Sequence, residues 1–170
     1  YGYPKMICRI AVEYTDGSVE NLISDDTWKT SPGPITFSSI YGGEDYNANL
    51  EQTGWDGPSF NDQSWKKAIT VDGPPVLSAQ TADPLKIADS FSVKKISQPK
   101  PSVWVYDFGQ NASDIFRIKV KGKKQDQIMF RPAELITDDG LITQNAVGSP
   151  VYFSYTLKGK TPETWQPQFT

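Results

Sequence analysis

The densest group of chemically active side chains lies between residues 41 and 51. Asp45, Asn47, Asn49 and Glu51 alternate with other residues there. In a β-strand all four side chains would therefore share one face. Carboxylate and amide oxygens are ligands that Ca²⁺ accepts, and they also hydrogen-bond sugar hydroxyls. The pattern thus predicts either a calcium or sugar site or an ordinary solvated strand face, which alternation alone also produces.

The calcium alternative depends on Asp45 and Asn47, the two candidate metal ligands. The spacing of Asp45, Asn47 and Asn49 resembles the start of an EF-hand loop. Such a loop requires Gly at its sixth position, where this chain has Leu50. The match is therefore weak, and nothing else in the sequence indicates a cofactor.

Aromatic rings can stack on the apolar face of a sugar. Tyr46 lies within the segment, and Trp55 lies in a Gly-rich stretch that predicts an exposed ring. Trp65 is predicted to plug the end of the fold instead. Asn111, which follows Gly109, is expected either to contact a ligand from a loop or to cap a turn. The candidate carbohydrate-binding residues are Asp45, Tyr46, Asn47, Asn49, Trp55 and Asn111.

Several classes of chemistry are excluded by composition. The sequence has no histidine, which removes serine–histidine catalysis and imidazole-ligated zinc. The net charge of −3 comes without a basic stripe, so neither nucleic acid nor a membrane is expected as a partner. The carboxylates are scattered, whereas glycoside hydrolysis needs two that face each other across a cleft. This chain by itself is therefore not expected to be an enzyme.

The elements that must position these residues are strands. Side chains alternate between apolar and polar around residues 8–14, 19–23, 103–108, 114–121, 127–131 and 151–158. Cys8 falls in the first of these and is predicted to be an inert core thiol. The 13 Pro and 13 Gly interrupt the chain often, and no helical period extends beyond about ten residues. The sequence thus predicts an all-β, antiparallel, jelly-roll-like β-sandwich that forms a single domain over residues 1–170.

An ordered series of short motifs is similar to the N-terminal accessory region of bacterial α-L-rhamnosidases, which are glycoside hydrolases of family 78. The series runs along nearly the whole chain. It comprises Asp26-Thr27-Trp28-Lys29, Gly33-Pro34-Ile35, Ile40-Tyr41-Gly42-Gly43-Glu44-Asp45-Tyr46, Phe60-Asn61-Asp62, Asp107-Phe108-Gly109-Gln110-Asn111, Pro132-Ala133-Glu134-Leu135 and Trp165-Gln166-Pro167.

The resemblance implies that the parent hydrolyses terminal α-L-rhamnose with inversion, on two glutamates in a separate (α/α)6 barrel. No catalytic residue can be carried over to this chain. Some family members hold a calcium-dependent rhamnose-binding module, with an Asp-Asn pair after the Gly-Glu-x-Tyr motif. Asn47-Ala48 occupies that place here, so the acidic ligand is absent.

We therefore expect a non-catalytic accessory domain that supports the catalytic barrel of the same polypeptide and borders its substrate approach. The alternative is a carbohydrate-binding module that recognises L-rhamnose or a rhamnose-containing glycan, with or without calcium. The cellular location stays open, although the resemblance implies a secreted or periplasmic bacterial parent.

Overall fold

The computed structural model describes residues 4–147, 150–159 and 162–168. Within these ranges the regular structure consists of β-strands and two short 3-10 helices, without an α-helix. The prediction of an all-β fold is confirmed. No helix in the described ranges is long and apolar enough to span a membrane.

The strands are short, in keeping with the frequent Pro and Gly. The first seven are β1 (Arg9–Glu13), β2 (Val19–Ile23), β3 (Lys29–Thr30), β4 (Ile35–Ser39), β5 (Gly43–Asn47), β6 (Lys66–Lys67) and β7 (Lys95–Lys100). The others are β8 (Val103–Asp107), β9 (Ile118–Val120), β10 (Gln127–Phe130), β11 (Leu135–Ile136), β12 (Ile142–Thr143), β13 (Tyr152–Thr156) and β14 (Glu163–Trp165). The 3-10 helices are η1 (Ala48–Leu50) and η2 (Asn145–Val147).

The chain divides into two compact units where the sequence predicted one domain. Unit 1 comprises Tyr1–Pro32 and Thr53–Leu85, and unit 2 comprises Gly33–Gln52 and Lys86–Thr170. The division is not a simple cut along the chain, because β5 pairs with β13, far away in sequence, and thereby joins residues 33–52 to unit 2. A long-range pairing of this kind leaves no local sequence signal.

Unit 1 contains the β1–β2 hairpin and the β3–β6 pair, both antiparallel. The hairpin turns at Asp16-Gly17, where Gly17 adopts a positive φ of 81°, a conformation that glycine adopts without steric cost. Ile10 lies opposite Leu22, and both side chains remain exposed. Cys8, predicted to lie in a core, is only half-buried, because the apolar face of this hairpin is largely uncovered.

Unit 2 is built on a four-stranded sheet with the order β10-β13-β5-β4. The β10–β13 and β4–β5 pairs are antiparallel, as expected, but β13 runs parallel to β5. The parallel register places Phe153 beside Glu44 and Tyr155 beside Tyr46. Because neighbours in a ladder share a face, these four side chains point to the same side of the sheet.

The core of unit 2 lies on that side. Phe153, Tyr155, Leu157 and Trp165 are buried there together with Ala48. The partly buried residues that pack against this cluster include Phe116, Ile118 and Val120, which the sequence predicted to face one way. The prediction for this segment is confirmed in orientation, although only residues 118–120 pair as a strand, with β14.

The β7 and β8 strands form a separate antiparallel ribbon in unit 2. Lys100 ends β7 and pairs with Val103. Pro99 lies where the register shifts between Ser97 and Lys100. Proline lacks the backbone donor for a ladder and is tolerated in strands at such irregularities.

Candidate functional site

The strand expected to carry Asp45, Asn47, Asn49 and Glu51 ends halfway along that series. β5 stops at Asn47, and the chain then turns into η1. Asp45 and Asn47 therefore share a strand face, whereas Asn49 lies in a helical turn and Glu51 follows it. The expectation that all four side chains share one face is wrong, because the 3-10 helix replaces the period of two.

Asn47 itself causes the strand to end. Its backbone is extended, and its side-chain oxygen accepts hydrogen bonds of 3.0 Å from both the backbone N and Nδ2 of Asn49. Asn is a favoured N-cap residue because its short side chain reaches the otherwise unpaired N–H groups of the first turn. Asn49 Nδ2 also donates to the Leu157 carbonyl at 2.9 Å. These two amides join η1 to the end of β13.

Asp45 is bound to the neighbouring parallel strand. The Ser154 hydroxyl donates a 2.5 Å hydrogen bond to Asp45 Oδ1, and the two residues are partners in the β5–β13 ladder. Ser154 is buried and Asp45 is half-buried. One oxygen of the Asp45 carboxylate thus satisfies a buried hydroxyl, which would otherwise lack a partner.

Tyr46 belongs to the core and is not an exposed stacking platform. Its ring stacks on Tyr155 with centroids 5.7 Å apart and contacts Trp165 at 5.9 Å. Its hydroxyl donates to Glu51 Oε1 at 3.2 Å. Burial, together with the nearby Glu51 carboxylate, raises the pKa of Tyr46 to about 12. Glu51 in turn forms an ion pair with Lys158, with Nζ and Oε2 2.5 Å apart.

This arrangement does not fit a calcium ion. Calcium needs six to eight oxygen ligands, but the Asn47 oxygen already accepts two internal hydrogen bonds, and Asp45 is paired with Ser154. Across the described residues, no cluster of three or more acidic or cysteine side chains is arranged to hold a metal.

Trp55 lies in unit 1, on a loop with two successive tight turns. Gly57 N donates to the Gly54 carbonyl at 2.9 Å, and Phe60 N donates to the Gly57 carbonyl at 3.1 Å. The loop borders a shallow cleft lined by Thr53, Gly54, Gly57, Pro58, Ser59, Phe60 and Asn61. Trp55 is 63% exposed, as predicted. Trp65 is half-buried against Phe60, with ring centroids 5.5 Å apart.

Asn111 is exposed in an irregular stretch of unit 2. It follows the turn in which Gly109 N donates to Asp107 Oδ1 at 2.7 Å. Of the six candidate residues, the structure therefore gathers Asp45, Tyr46, Asn47 and Asn49 around β5 and η1. Trp55 belongs to the other unit.

Two carboxyl groups outside the six candidate residues are buried. Glu163 accepts hydrogen bonds from the Tyr155 hydroxyl and from the backbone N of Lys158 and Gly159, at 2.9–3.0 Å. Burial alone would raise the pKa of Glu163, but these donors and the Lys158 charge lower it overall. Glu44 is fully buried, and burial raises its pKa. Among the described residues, it accepts a hydrogen bond from Gln168 N alone. The sequence did hold a signal for the burial of Glu44. Glu44 and Tyr46 are two residues apart in β5, so their side chains share the face that meets the core.

Comparison with known proteins assigns both parts of the chain. Residues 1–89 match the α-L-rhamnosidase N-terminal domain, and residues 97–170 match the bacterial α-L-rhamnosidase concanavalin-like domain. An α-L-rhamnosidase of Streptomyces avermitilis is 36% identical over 98% of this chain, and one of Formosa agariphila is 31% identical over 100% of it.

Solved structures agree with these matches. The α-L-rhamnosidase from Dictyoglumus thermophilum superposes on the whole chain with a TM-score of 0.91 and 37% identity. The Streptomyces avermitilis enzyme complexed with L-rhamnose covers 96% of the chain with a TM-score of 0.88 and 34% identity. This chain spans only 16–20% of these relatives' own length. The chain belongs to the α-L-rhamnosidase family and corresponds to the N-terminal region of these proteins.

Proposed function

We propose that this chain is a non-catalytic accessory region of an α-L-rhamnosidase. It packs against the catalytic domain of the same polypeptide and borders the path of the substrate. In this proposal the whole enzyme removes terminal α-L-rhamnose with inversion, and its catalytic carboxylates lie outside the 170 residues described above.

The observation that carries the proposal is the amount of surface left uncovered. The chain exposes 14250 Å². A compact protein of 18.9 kDa exposes about 8,300 Å², and two separate units of the observed sizes together expose about 10,000 Å². The excess surface carries many large apolar side chains. Uncovered apolar surface on this scale is typical of a face that another part of a protein covers.

Three glutamates of unit 2 support a non-catalytic role. Glycosidases need two carboxyl groups that are open to the substrate and about 5–10 Å apart. Glu44 and Glu163 are buried, and Glu51 is engaged by Tyr46 and Lys158. Glu51 and Glu163 take part in the internal hydrogen bonding of the fold, and Glu44 is enclosed in its core.

A rhamnosidase assay tests the proposal. The 170-residue chain should release no aryl alcohol from an aryl α-L-rhamnoside, whereas the full-length polypeptide should cleave it and release the β-anomer of L-rhamnose first. Turnover by the 170-residue chain that survives rigorous purification would overturn the non-catalytic role. Initial release of the α-anomer by the full-length enzyme would overturn inversion alone.

A second candidate function is carbohydrate binding, and the exposed Trp55 beside its cleft favours it. An indole face supplies stacking, and Asn61, which lines the cleft, is a polar residue beside it. A monosaccharide in a shallow open site has few contacts to offset its lost freedom. We therefore expect binding no tighter than roughly millimolar, about −4 kcal/mol.

Calorimetric titration with L-rhamnose, first with calcium and then with chelator, separates the two predicted sites. Heat that disappears in Trp55→Ala but persists in Asn47→Ala would place the sugar in the unit 1 loop. Calcium-dependent binding that disappears in Asn47→Ala would place it at β5, against the hydrogen bonding described there.

A further inference from the structure

The β7–β8 ribbon has an apolar face turned to solvent. Ile96 lies opposite Tyr106 in the ladder, and Trp104 lies two residues before Tyr106. The three side chains therefore share one face. Their exposed fractions are 54%, 52% and 55% for Ile96, Tyr106 and Trp104. We call these three residues the ribbon face.

The opposite side of the ribbon is the more buried one. Ser97 and Val105 are ladder partners and are half-buried. Pro99 lies close to Gly140 in the β11–β12 turn, and the nearby Lys100 forms an ion pair with Asp139 at 3.8 Å. A sheet with one wet face normally turns its polar residues outward. This ribbon instead turns Ile96, Trp104 and Tyr106 outward, which indicates that its outer face meets another surface.

A two-stranded ribbon is only marginally stable alone in water, and it gains stability from a permanent cover. A monosaccharide bound at millimolar affinity would leave the ribbon bare much of the time. The rest of the same polypeptide would be present always. In the relatives that match this chain, about four-fifths of the protein lies outside the matched region.

We propose that the ribbon face docks onto the remainder of the same α-L-rhamnosidase polypeptide, with Trp104 and Tyr106 as its anchors. The inference rests on the proposed accessory role and identifies the surface through which that role is exerted. Trp and Tyr are enriched at the energetic centres of interfaces, because they combine a large apolar area with a polar atom.

Hydroxyl-radical footprinting of the full-length polypeptide tests the docking. The reactivity of each ring is normalised to the same polypeptide in denaturant. A ring about half exposed would be protected only about two-fold, whereas a docked ring should be protected about ten-fold or more. We expect ten-fold protection for Trp104 and Tyr106. Trp55, which is 63% exposed, and Tyr14, which is 48% exposed, are the matched references within this chain.

Each result is decisive. Two-fold protection of Trp104 and Tyr106, with strong protection elsewhere in unit 1 or unit 2, would overturn this surface but keep the accessory role. Uniformly weak protection throughout the 170 residues would overturn the accessory role as well. Protection that grows with protein concentration would assign the ribbon face to a second copy and overturn the inference.

Paired substitutions give an independent readout. In the full-length polypeptide, Trp104→Ala should lower the midpoint of thermal unfolding by about 3 °C or more, as loss of an interface anchor does. Trp55→Ala removes an indole of similar exposure and serves as the control. An equal or smaller effect of Trp104→Ala would contradict the docking.

Discussion

The Tyr155 hydroxyl donates a 2.9 Å hydrogen bond to Glu163 Oε2, and both residues are buried. Tyr155 belongs to β13 of the four-stranded sheet, and Glu163 begins β14, which pairs with β9. The bond therefore joins the two layers that enclose the core of unit 2. Burial is the main cause of the raised pKa of Tyr155, and this hydrogen bond raises it further.

Removal of that hydroxyl should destabilise the chain. Tyr155→Phe keeps the ring stack on Trp165 but takes from a buried carboxylate one of the three donors found among the described residues. Hydrogen bonds to charged groups contribute about 1.5–3 kcal/mol, so we expect a loss in this range in urea unfolding. Tyr14→Phe is the control, because its 2.6 Å bond to Glu20 is exposed. Equal effects of the two substitutions would contradict the role assigned to Tyr155.

The buried Glu44 should make stability fall as the pH rises. Its folded pKa is raised above 4.5, so the folded state binds more protons than the unfolded state. The stability that the neutral form of Glu44 contributes is fully present below a pH of about 4.5. It is lost as the pH rises through the raised pKa of the folded state. Glu44→Gln keeps an oxygen for Gln168 N and should flatten this decline in a series of urea melts from pH 4 upward. Glu13→Gln, which alters an exposed carboxyl, is the matched control substitution. An unchanged profile in Glu44→Gln would be evidence against the prediction.

Glu163 should act in the opposite direction. The pKa of Glu163 is lowered in the folded state. The stability that its charged form contributes is therefore present above pH 4.5 and is lost as the pH falls through the lowered pKa. Substitution Glu163→Gln should therefore reduce stability at neutral pH and weaken the acid-side decline. The same melts, extended below pH 4, measure both effects. A steeper acid-side decline in the variant would show that the sign is wrong.

Gly43 should tolerate no side chain. It has a φ of 102°, and a Cβ there would lie 1.7 Å from the Tyr152 carbonyl oxygen. Gly43→Ala should thus cost about 3 kcal/mol or more, because the clash adds to backbone strain and opens the β5–β13 pairing. Gly33→Ala is the control, since its Cβ would meet open space. Chemical unfolding compares the two, and a loss below 1 kcal/mol at Gly43, within about the range of ordinary surface changes, would contradict the register.

Asn49 should contribute to the stability of the fold and not to sugar binding. Asn49→Ala loses the bonds to Asn47 and to the Leu157 carbonyl, which should cost about 1–2 kcal/mol. Asn111→Ala removes an exposed amide and should change stability by less than about 0.5 kcal/mol. Unfolding curves and rhamnose titrations on both variants separate the two roles. Weaker sugar binding in Asn49→Ala at unchanged stability would favour the ligand role.

Period-two alternation is a local property, and the sequence by itself therefore determined the all-β class and several strand faces. Phe116, Ile118 and Val120 pack inward as predicted, and Phe153 and Tyr155 are buried as their alternation indicated. Trp55 is exposed for a similarly local reason, because its glycine-rich turns lie outside any strand. The ordered motifs also identified the family that the comparisons show.

The tertiary structure alone decided how the polar residues of β5 are used. Asp45 and Asn49 find their partners, Ser154 and the Leu157 carbonyl, more than 100 residues away. The parallel β5–β13 pairing brings these residues together. Neither strand's residue pattern indicates this pairing, because each strand would show the same alternation in an antiparallel pair. The same pairing places Tyr46 in the core and draws residues 33–52 into unit 2. Long-range contacts select one register from many that are locally equivalent, and only the folded chain reveals that choice.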